Sequence, residues 1–136
     1  MARIYVDTSA FYSLLVRDDS AHARAKETLE VLRAEDATLV TSNYVVHETI
    51  ALLQHRWGIE AVRVWEHFIE PALEMVWADA DIHGRAMGTL LAAAERGISL
   101  TDWASFEIMR RERIARVFAF DKDFENRGFE VIPATV

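Results

Sequence analysis

Four acidic residues of this chain follow short apolar segments or stand at the start of an expected helix. They are Asp7, Glu48, Asp102 and Asp121. In an α/β fold the carboxyl ends of parallel strands share one edge of the sheet, so residues distant in sequence can meet there. Carboxylates brought together repel one another unless protons or a cation compensate their charge. Because oxygen ligands select Mg²⁺ or Mn²⁺, the pattern predicts a metal-dependent site that acts on phosphate.

Each acid also has an ordinary structural explanation. Asp7 and Asp121 are favourable helix N-caps, Asp102 forms a capping-box-like pair with Ser99, and Glu48 could pair with an arginine. Taken together, however, three of the acids fall at strand-to-helix junctions, where the positive end of the helix dipole keeps carboxylates ionised. Ionised carboxylates around two metals about 4 Å apart suffice for phosphodiester hydrolysis without another nucleophile. The group of four therefore favours a hydrolytic metal site.

Length and composition limit the class of protein. The 136 residues are expected to form a single domain over residues 1–136, and a hydrophobic fraction of 51% is ample for a core. The absence of cysteine excludes disulfide scaffolds and thiolate zinc sites. A net charge of −7 argues against binding nucleic acid mainly by neutralising phosphates. With no signal-peptide layout and no apolar run near ~18 residues, we expect a soluble cytoplasmic protein without a membrane span.

Hydrophobic periodicity predicts strands that alternate with helices. Strands are expected over residues 3–6, 38–41, 73–77, 116–120 and 129–132. Helices are expected over residues 11–15, 22–33, 44–57, 59–69, from 79 or 81 to 96, 99–113 and 121–127. Ser20 is the expected N-cap of the second helix, and Gly97 the expected stop of the fifth. This alternation is typical of a central parallel sheet covered by helices on both faces.

Four segments resemble the PIN-domain ribonucleases, especially the VapC toxins of VapBC toxin–antitoxin pairs. They are Asp7-Thr8-Ser9 after the first strand, Thr41-Ser42 followed by Glu48, Leu100-Thr101-Asp102-Trp103-Ala104-Ser105-Phe106, and Phe118-Ala119-Phe120-Asp121-Lys122-Asp123. The order and spacing agree over nearly the whole chain. The resemblance implies a PIN-like three-layer α/β/α sandwich and an endoribonuclease that depends on Mg²⁺ or Mn²⁺.

The resemblance also assigns roles to residues. Asp7, Glu48, Asp102 and Asp121 match the acidic quartet, as catalytic residues and metal ligands, with Glu48 as a ligand or water-orienting base. The polar residues expected to support them are Thr8, Ser9, Thr101 and Asp123. An antitoxin protein and a second copy of the chain are the implied partners. The RNA target stays open, as does the choice between a toxin and a housekeeping RNA-processing nuclease.

Basic residues concentrate near the third and fourth segments. Those predicted to contact RNA phosphates are Arg110, Arg113, Arg116 and Lys122, with Arg111 and Arg127 nearby. The alternative is a solvated helix face in which Glu107 and Glu112 balance the charge. Arg17, Arg24 and Lys26 form a second, weaker candidate.

Aromatic residues raise a similar choice. Trp57, Trp65 and Phe68 are spaced as a helical stripe, which is typical of core packing. The same stripe could instead accept an amphipathic antitoxin segment or a second copy of the chain. Trp103, which follows a candidate ligand directly, is expected to pack beneath the site.

Two other functions compete with the nuclease interpretation. A phosphatase could use Asp7 as a covalent nucleophile, but such enzymes carry a second Asp where this chain has Ser9. A non-catalytic binding module could use the same fold for RNA or protein. Four close carboxylates are costly without a function, which disfavours that module.

Overall fold

A computed structural model describes residues 2–134 as five parallel strands with helices on both faces of the sheet. The strands are β1 (Arg3–Val6), β2 (Thr38–Ser42), β3 (Glu74–Val76), β4 (Arg116–Phe118) and β5 (Glu130–Ile132). The helices are α1 (Thr8–Leu15), α2 (His22–Ala34), α3 (Asn43–Trp57), α4 (Ile59–Val64), α5 (Ala80–Ala93), α6 (Leu100–Glu112) and α7 (Asp123–Asn126). The predicted three-layer α/β/α sandwich with a parallel sheet is confirmed.

The central strand β1 shows why the sheet is covered on both faces. Ile4, Tyr5 and Val6 are all buried, with no more than 1% of their surface exposed. Side chains of a strand alternate between the two faces, so three consecutive buried residues need helices on both. The predicted bounds of β1 are confirmed, and those of the other strands differ by one or two residues at an end.

The strand order β3-β2-β1-β4-β5 places a topological switch point between β1 and β4. From β1 the chain moves outward through β2 to β3, and it then returns to the other side of β1 to form β4 and β5. Crevices at such a point, beyond the carboxyl ends of the strands, are where open α/β sheets bind ligands. Asp7 directly follows β1, and its N–H donates to the Phe118 carbonyl at the end of β4 (3.0 Å).

Several helix boundaries differ from the predictions: α1 begins at Thr8, and α7 is shorter than expected at both ends. Ser20 does not cap α2; the N-cap is Ala21, whose N–H donates to Asp19 Oδ2 (3.0 Å). Helix α5 ends at Ala93 rather than near residue 96, because Ala94 adopts the left-handed conformation (φ 51°) and its N–H closes the last turn. The predicted stop at Gly97 is therefore wrong.

The predicted helix over residues 59–69 is also more complex than expected. It consists of α4, a π-helical turn over Trp65–Ile69, and a 3₁₀ turn over Glu70–Ala72 that contains Pro71. Trp65 is fully buried and meets Phe11 edge to face at 4.8 Å. Trp57 and Phe68 are instead 47% and 71% exposed. Core packing of this stripe is thus confirmed for Trp65 and wrong for the other two.

No helix within residues 2–134 has the length and apolar character needed to cross a membrane.

Candidate active site

An acidic cleft of about 410 Å³ opens at the carboxyl edge of the sheet beside the switch point. Its lining residues follow the ends of β1 and β4, lie on α1 and α3, or stand at the start of α6. They are Asp7, Thr8, Ser9, Tyr12, Glu48, Leu52, Ser99, Asp102 and Asp121. All four acids that were singled out in the sequence therefore line one cleft, although among residues 2–134 Asp7 and Glu48 do not belong to the group of three carboxylates that lie close enough to share one ion.

Asp7 is the most deeply placed of the four acids, with only 4% of its surface exposed. One carboxylate oxygen, Oδ2, accepts hydrogen bonds from the Ser9 hydroxyl (2.7 Å) and the Ser9 N–H (3.2 Å). The Ser9 hydroxyl accepts in turn from the Phe120 N–H (3.0 Å). Ser9 therefore connects the carboxylate that follows β1 to the backbone that follows β4.

This position of Ser9 leads to a prediction. Replacing Ser9 with Ala removes the hydroxyl that orients Asp7, and outer-shell partners of this kind typically contribute about 10–100-fold to metal affinity or activity. We expect Ser9→Ala to lower the cleavage rate by about that factor and Ser9→Thr to retain more activity. Initial rates on a labelled RNA at saturating Mn²⁺ measure both variants. A Ser9→Ala rate equal to that of the parent would contradict this role.

Asp102 and Asp121 are held in the same way. Asp102 Oδ2 accepts from the Ser99 N–H (3.0 Å) while the Ser99 hydroxyl accepts from the Asp102 N–H (3.2 Å), so the predicted capping box is confirmed. Asp121 Oδ1 accepts from the Asp123 N–H (2.9 Å), although Lys122 rather than Asp121 is the N-cap of α7. Within residues 2–134, these bonds use only one oxygen of each carboxylate. The second oxygen remains available to a ligand.

Asp123 does not line the acidic cleft, but it lies beside two of the acids that do. One carboxylate oxygen from each of Asp102, Asp121 and Asp123 can be chosen so that the three lie within 4.8 Å of one another. Glu48, on α3, is half-buried and faces the same cleft. Thr101 is half-buried on the first turn of α6 and is not among the residues that line the cleft.

The electrostatics of the acidic cleft favour a positive ligand. Burial raises the pKa of Asp7 to about 7; the Ser9 hydroxyl opposes the rise, and the charge of Asp102 adds to it. Burial also raises the pKa of Asp102, against the hydrogen bond from Ser99, with a contribution from the charge of Asp121. The pKa of Asp123 is raised first by burial and then by Asp121. Without a cation, the cleft therefore holds protons more tightly than isolated carboxylates do.

The polar groups of the cleft fit a divalent cation with oxygen ligands. Carboxylate oxygens from several elements face one space, and hard cations such as Mg²⁺ prefer such ligands. The Thr8 hydroxyl is buried at the edge of this space and has no hydrogen-bond partner within residues 2–134. A buried hydroxyl without a partner is costly, and a metal ligand or its water would supply one. This arrangement is what the metal prediction requires.

A buried hydrogen-bond network beneath the cleft was not predicted from the sequence. The Tyr5 hydroxyl lies in the core, 3.0 Å from Ser42 Oγ and 2.8 Å from Ser105 Oγ. Ser42 caps α3, which carries Glu48, and Ser105 follows Asp102 on α6 by three residues. The network thus connects β1 to the two helices that supply acids. A tyrosine in an apolar strand gives no sign of such partners, because the alternation of a strand reports burial and not hydrogen bonding.

The network leads to a second prediction. Tyr5→Phe leaves the two serine hydroxyls without their shared partner, and an unsatisfied buried group costs about 1–3 kcal/mol. We expect the free energy of unfolding in urea to fall by about 1–2 kcal/mol. Tyr12→Phe is the matched control, since its hydroxyl sits in the open cleft beside exposed Arg56. If Tyr5→Phe and Tyr12→Phe have the same free energy of unfolding, the network does not contribute to the stability of the fold.

The basic residues predicted to contact phosphate are not all near the cleft. Lys122 is exposed directly after Asp121. Arg116 starts β4 at the opposite, amino edge of the sheet, where it pairs with Glu130 (2.9 Å), so the structure places it away from the acids. Arg113 ends α6, just before β4 begins, and lies towards that same opposite edge.

Arg110 and Trp103 belong to a different cleft, between α5 and α6. Trp103 is buried as expected, but it lines that second cleft rather than the floor of the acidic one.

Two cleft residues that sequence reasoning missed share a signal that could have found them. Tyr12 follows Thr8 by four residues on α1, and Leu52 follows Glu48 by four residues on α3. Residues four apart lie on one face of a helix. A search for neighbours of the candidate acids at that spacing would therefore have added both residues.

Comparison with known proteins extends this description. Residues 4–130 match the family model of the PIN domain. A 23S rRNA-specific endonuclease, VapC20 of Mycobacterium tuberculosis, is 34% identical over 132 residues, which cover 96% of this chain and 98% of the relative. The crystal structure of M. tuberculosis VapC20, described as a sarcin–ricin-loop-cleaving toxin, aligns with a TM-score of 0.79 over 93% of this chain and 95% of that one.

Two further solved structures share the fold at lower identity. VapBC2 of Rickettsia felis, bound to a DNA fragment from its promoter, is 15% identical with a TM-score of 0.68 over 95% of this chain and 96% of that one. FitAcB of Neisseria gonorrhoeae is 20% identical with a TM-score of 0.67 over 94% and 95%. The resemblance found in the sequence is confirmed by the family match and the VapC20 alignment. The chain belongs to the PIN-domain family of metal-dependent nucleases, as an endoribonuclease of the VapC type.

Proposed function

We propose that this chain is the toxin of a toxin–antitoxin pair and that it cleaves 23S rRNA in the sarcin–ricin loop. The observation that carries the proposal is the end-to-end alignment, at 34% identity, with an endonuclease specific for that RNA. The acidic cleft supplies the chemistry that such cleavage needs. A ribosomal RNA substrate would place the activity in the cytoplasm, and we propose that residues 1–136 act as one domain.

The proposed roles of the acids follow from their positions. Asp7, Asp102 and Asp121 hold Mg²⁺ or Mn²⁺ through the oxygens that their anchoring hydrogen bonds leave available. Glu48 acts as a further ligand or orients the attacking water, and Asp123 contributes a nearby oxygen. When bound, a divalent metal stabilises negative charge on the phosphate and favours ionisation of water. Ser9 keeps the Asp7 carboxylate in place, and burial keeps bulk water away from that carboxylate.

A cleavage assay tests the proposal. The purified chain is mixed with intact ribosomes or with isolated 23S, transfer and messenger RNA, in Mg²⁺, Mn²⁺ or EDTA, and new 5′ ends are mapped by primer extension. We expect one dominant cut in 23S rRNA that EDTA abolishes and that Asp102→Asn does not make. Cleavage that is faster on transfer or messenger RNA would overturn the substrate assignment. Cleavage that is unaffected by EDTA would overturn the metal site.

We further propose that an acidic, amphipathic antitoxin segment occupies a groove between α1 and α2. The groove measures about 420 Å³ and has an apolar floor that includes Phe11, Leu29 and exposed Phe68. Three cations, Arg17, Lys26 and Arg33, line it as well. Such a lining is complementary to a helix with an apolar face and acidic flanks. Co-expression with the protein encoded by the neighbouring reading frame, followed by co-purification, tests this pairing.

Self-association is a separate proposal. Leu52, Trp57 and Val64 expose apolar surface on α3 and α4, at 44%, 47% and 50%. We propose that a homodimer covers this surface, which sedimentation of the parent and of Trp57→Lys would test.

A further inference from the structure

A second cleft, lined mainly by basic and small side chains, lies beside the acidic cleft. It measures about 700 Å³ and runs between α5 and α6. We refer to it as the arginine cleft, because Arg85, Arg110 and Arg127 line it together with Gly88, Trp103 and Glu107. Three arginines against one glutamate give a positive lining in a chain whose net charge is −7. Arg85 pairs with Asp81 (3.8 Å) and Arg127 with Glu95 (3.0 Å), so the charge left for an anionic ligand is mainly that of Arg110.

Helical spacing explains how the arginine cleft is built. On α6, Trp103, Glu107 and Arg110 follow one another at four and three residues and therefore share one face. On α5, the facing positions carry small residues such as Gly88 and Ala92. A side chain added at Gly88 would meet nothing within 4 Å. The two helices pack against each other along their length, and Gly88 leaves room for a larger side chain on the open side of the cleft.

The arginines of the cleft differ in how they are held. Arg127 lies over the Trp103 ring (4.7 Å) and donates to both carboxylate oxygens of Glu95 (3.1 and 3.0 Å), so its guanidinium is fixed. Arg110 lies over the Phe129 ring (5.9 Å) and has no carboxylate partner in the described part of the chain. Its charge is therefore available to a ligand.

Two buried N–H groups at the same place have no acceptor. Trp103 is only 5% exposed, and its indole N–H has no hydrogen-bond partner within residues 2–134. The Nε of Arg127, in the guanidinium that covers the indole, also has none. Both groups are donors, which only an acceptor can satisfy. Phosphate oxygens are charged acceptors, and arginine binds them through short, charge-assisted hydrogen bonds.

The arginine cleft meets the acidic cleft at the first turn of α6. Asp102 lines the acidic cleft and the next residue, Trp103, lines the arginine cleft. Arg127 likewise follows directly on α7, which begins at Asp123. A polyanion with one phosphate at the acids would therefore continue into the arginines.

We propose that the arginine cleft binds RNA phosphates that neighbour the cleaved phosphodiester on the same strand. Arg110 and Arg127 are the phosphate-binding residues. The proposal rests on the proposed function for the identity of the RNA, but the binding it predicts can be measured without cleavage. Contacts of this kind act on affinity for the strand and leave the chemical step unchanged. An antitoxin segment is the competing occupant, and its acidic side chains would use the same cations.

Arg110→Gln is the first test, with Arg63→Gln as the matched control. Both changes remove one exposed positive charge, but Arg63 lies on α4 and pairs with Glu60 on the surface. Binding of a labelled RNA hairpin carrying the sarcin–ricin loop is measured by anisotropy in EDTA over a range of salt. We expect Arg110→Gln to weaken binding about 5–10-fold and to reduce the slope of log affinity against log salt by about 0.7, the value per single-strand contact. With Mg²⁺, we expect KM to rise and kcat to stay within about twofold of the parent.

Gly88 allows a second test that leaves the arginines untouched. Gly88→Glu and Gly88→Gln place side chains of nearly equal size in the same open space, and both residues favour helix more than glycine does. We expect Gly88→Glu to bind the hairpin at least about fivefold more weakly than Gly88→Gln.

If Arg110→Gln binds like Arg63→Gln and the two Gly88 variants bind alike, the cleft is not an RNA site. If these variants weaken only co-purification with the antitoxin, the cleft belongs to the protein partner and the proposal is wrong. A parent that binds the hairpin as predicted but does not cut it would overturn the proposed function and leave this site standing.

Discussion

Replacing Asp7 with Asn is expected to reduce RNA cleavage on the order of 10³-fold, well beyond the 10–100-fold typical of an outer-shell partner. Asn has nearly the same shape, and its carbonyl oxygen can still accept the two hydrogen bonds from Ser9. What the variant loses is the negative charge at the most buried position of the acidic cleft. A neutral amide oxygen is a weaker ligand for a hard divalent cation than a charged carboxylate is. Single-turnover rates at several Mn²⁺ concentrations measure the loss.

The same variant should be more stable than the parent when no metal is present. Burial raises the pKa of Asp7 to about 7, so between its ordinary pKa and about 7 the folded state binds the proton that the unfolded state has released. Stability of the metal-free protein therefore falls as the pH rises through that range. We expect the melting temperature of metal-free Asp7→Asn at pH 8 to exceed that of the parent by about 5 °C or more.

Added metal should reverse the order of the two melting temperatures, so that the parent becomes more stable than Asp7→Asn. Mn²⁺ binds the folded parent and stabilises it by mass action, whereas Asp7→Asn lacks the charge that attracts the ion. Ser20→Ala is a useful control, because Ser20 does not cap α2 and lies outside the cleft. An Asp7→Asn protein that cleaves at the parental rate, or that is stabilised by Mn²⁺ to the same extent, would remove Asp7 from the proposed site.

The convergence of the acids was predictable because it depends on topology and not on side-chain detail. Alternating strands and helices imply a parallel sheet, and a parallel sheet places all strand ends at one edge. Asp7 and Asp121 follow adjacent strands, so only the strand order was needed to bring them together. The capping box of Ser99 and Asp102 was equally local, because it depends on residues three apart. Local and topological rules thus gave the outline of the site.

Features that depend on tertiary packing were not predictable in this way. The periodicity of residues 59–69 is helical, but burial of Trp65 against Phe11 accompanies a π turn that leaves Phe68 exposed. Arg116 is close in sequence to the fourth segment, yet the direction of β4 carries it to the opposite edge. Sequence proximity to Asp121 was therefore a poor guide to spatial proximity. The Tyr5 network needs three elements to be placed before any of its hydrogen bonds can be inferred.

Competition between protons and metal gives the second large effect. Because burial and the neighbouring acid Asp102 raise the pKa of metal-free Asp7 to about 7, Mn²⁺ must displace a proton to bind below that pH. Because each Mn²⁺ ion that binds displaces one proton, the apparent dissociation constant for Mn²⁺ should rise about tenfold for each pH unit below about 7. Above that pH it should stay nearly constant. From pH 8 to pH 5.5 the affinity should fall by about 30-fold.

Calorimetric titration in two buffers with different ionisation enthalpies measures both the affinity and the number of protons released. We expect close to one proton released per site at pH 6 and far fewer at pH 8, since Asp7 is already ionised there. In Asp7→Asn the residual weak binding should lose most of this pH dependence, because the remaining acids have more exposed surface than Asp7. An affinity that is constant from pH 5.5 to pH 8 in the parent would mean that the metal does not bind at Asp7. In that case the cleavage chemistry would have to be centred on the oxygens of Asp102, Asp121 and Asp123 alone.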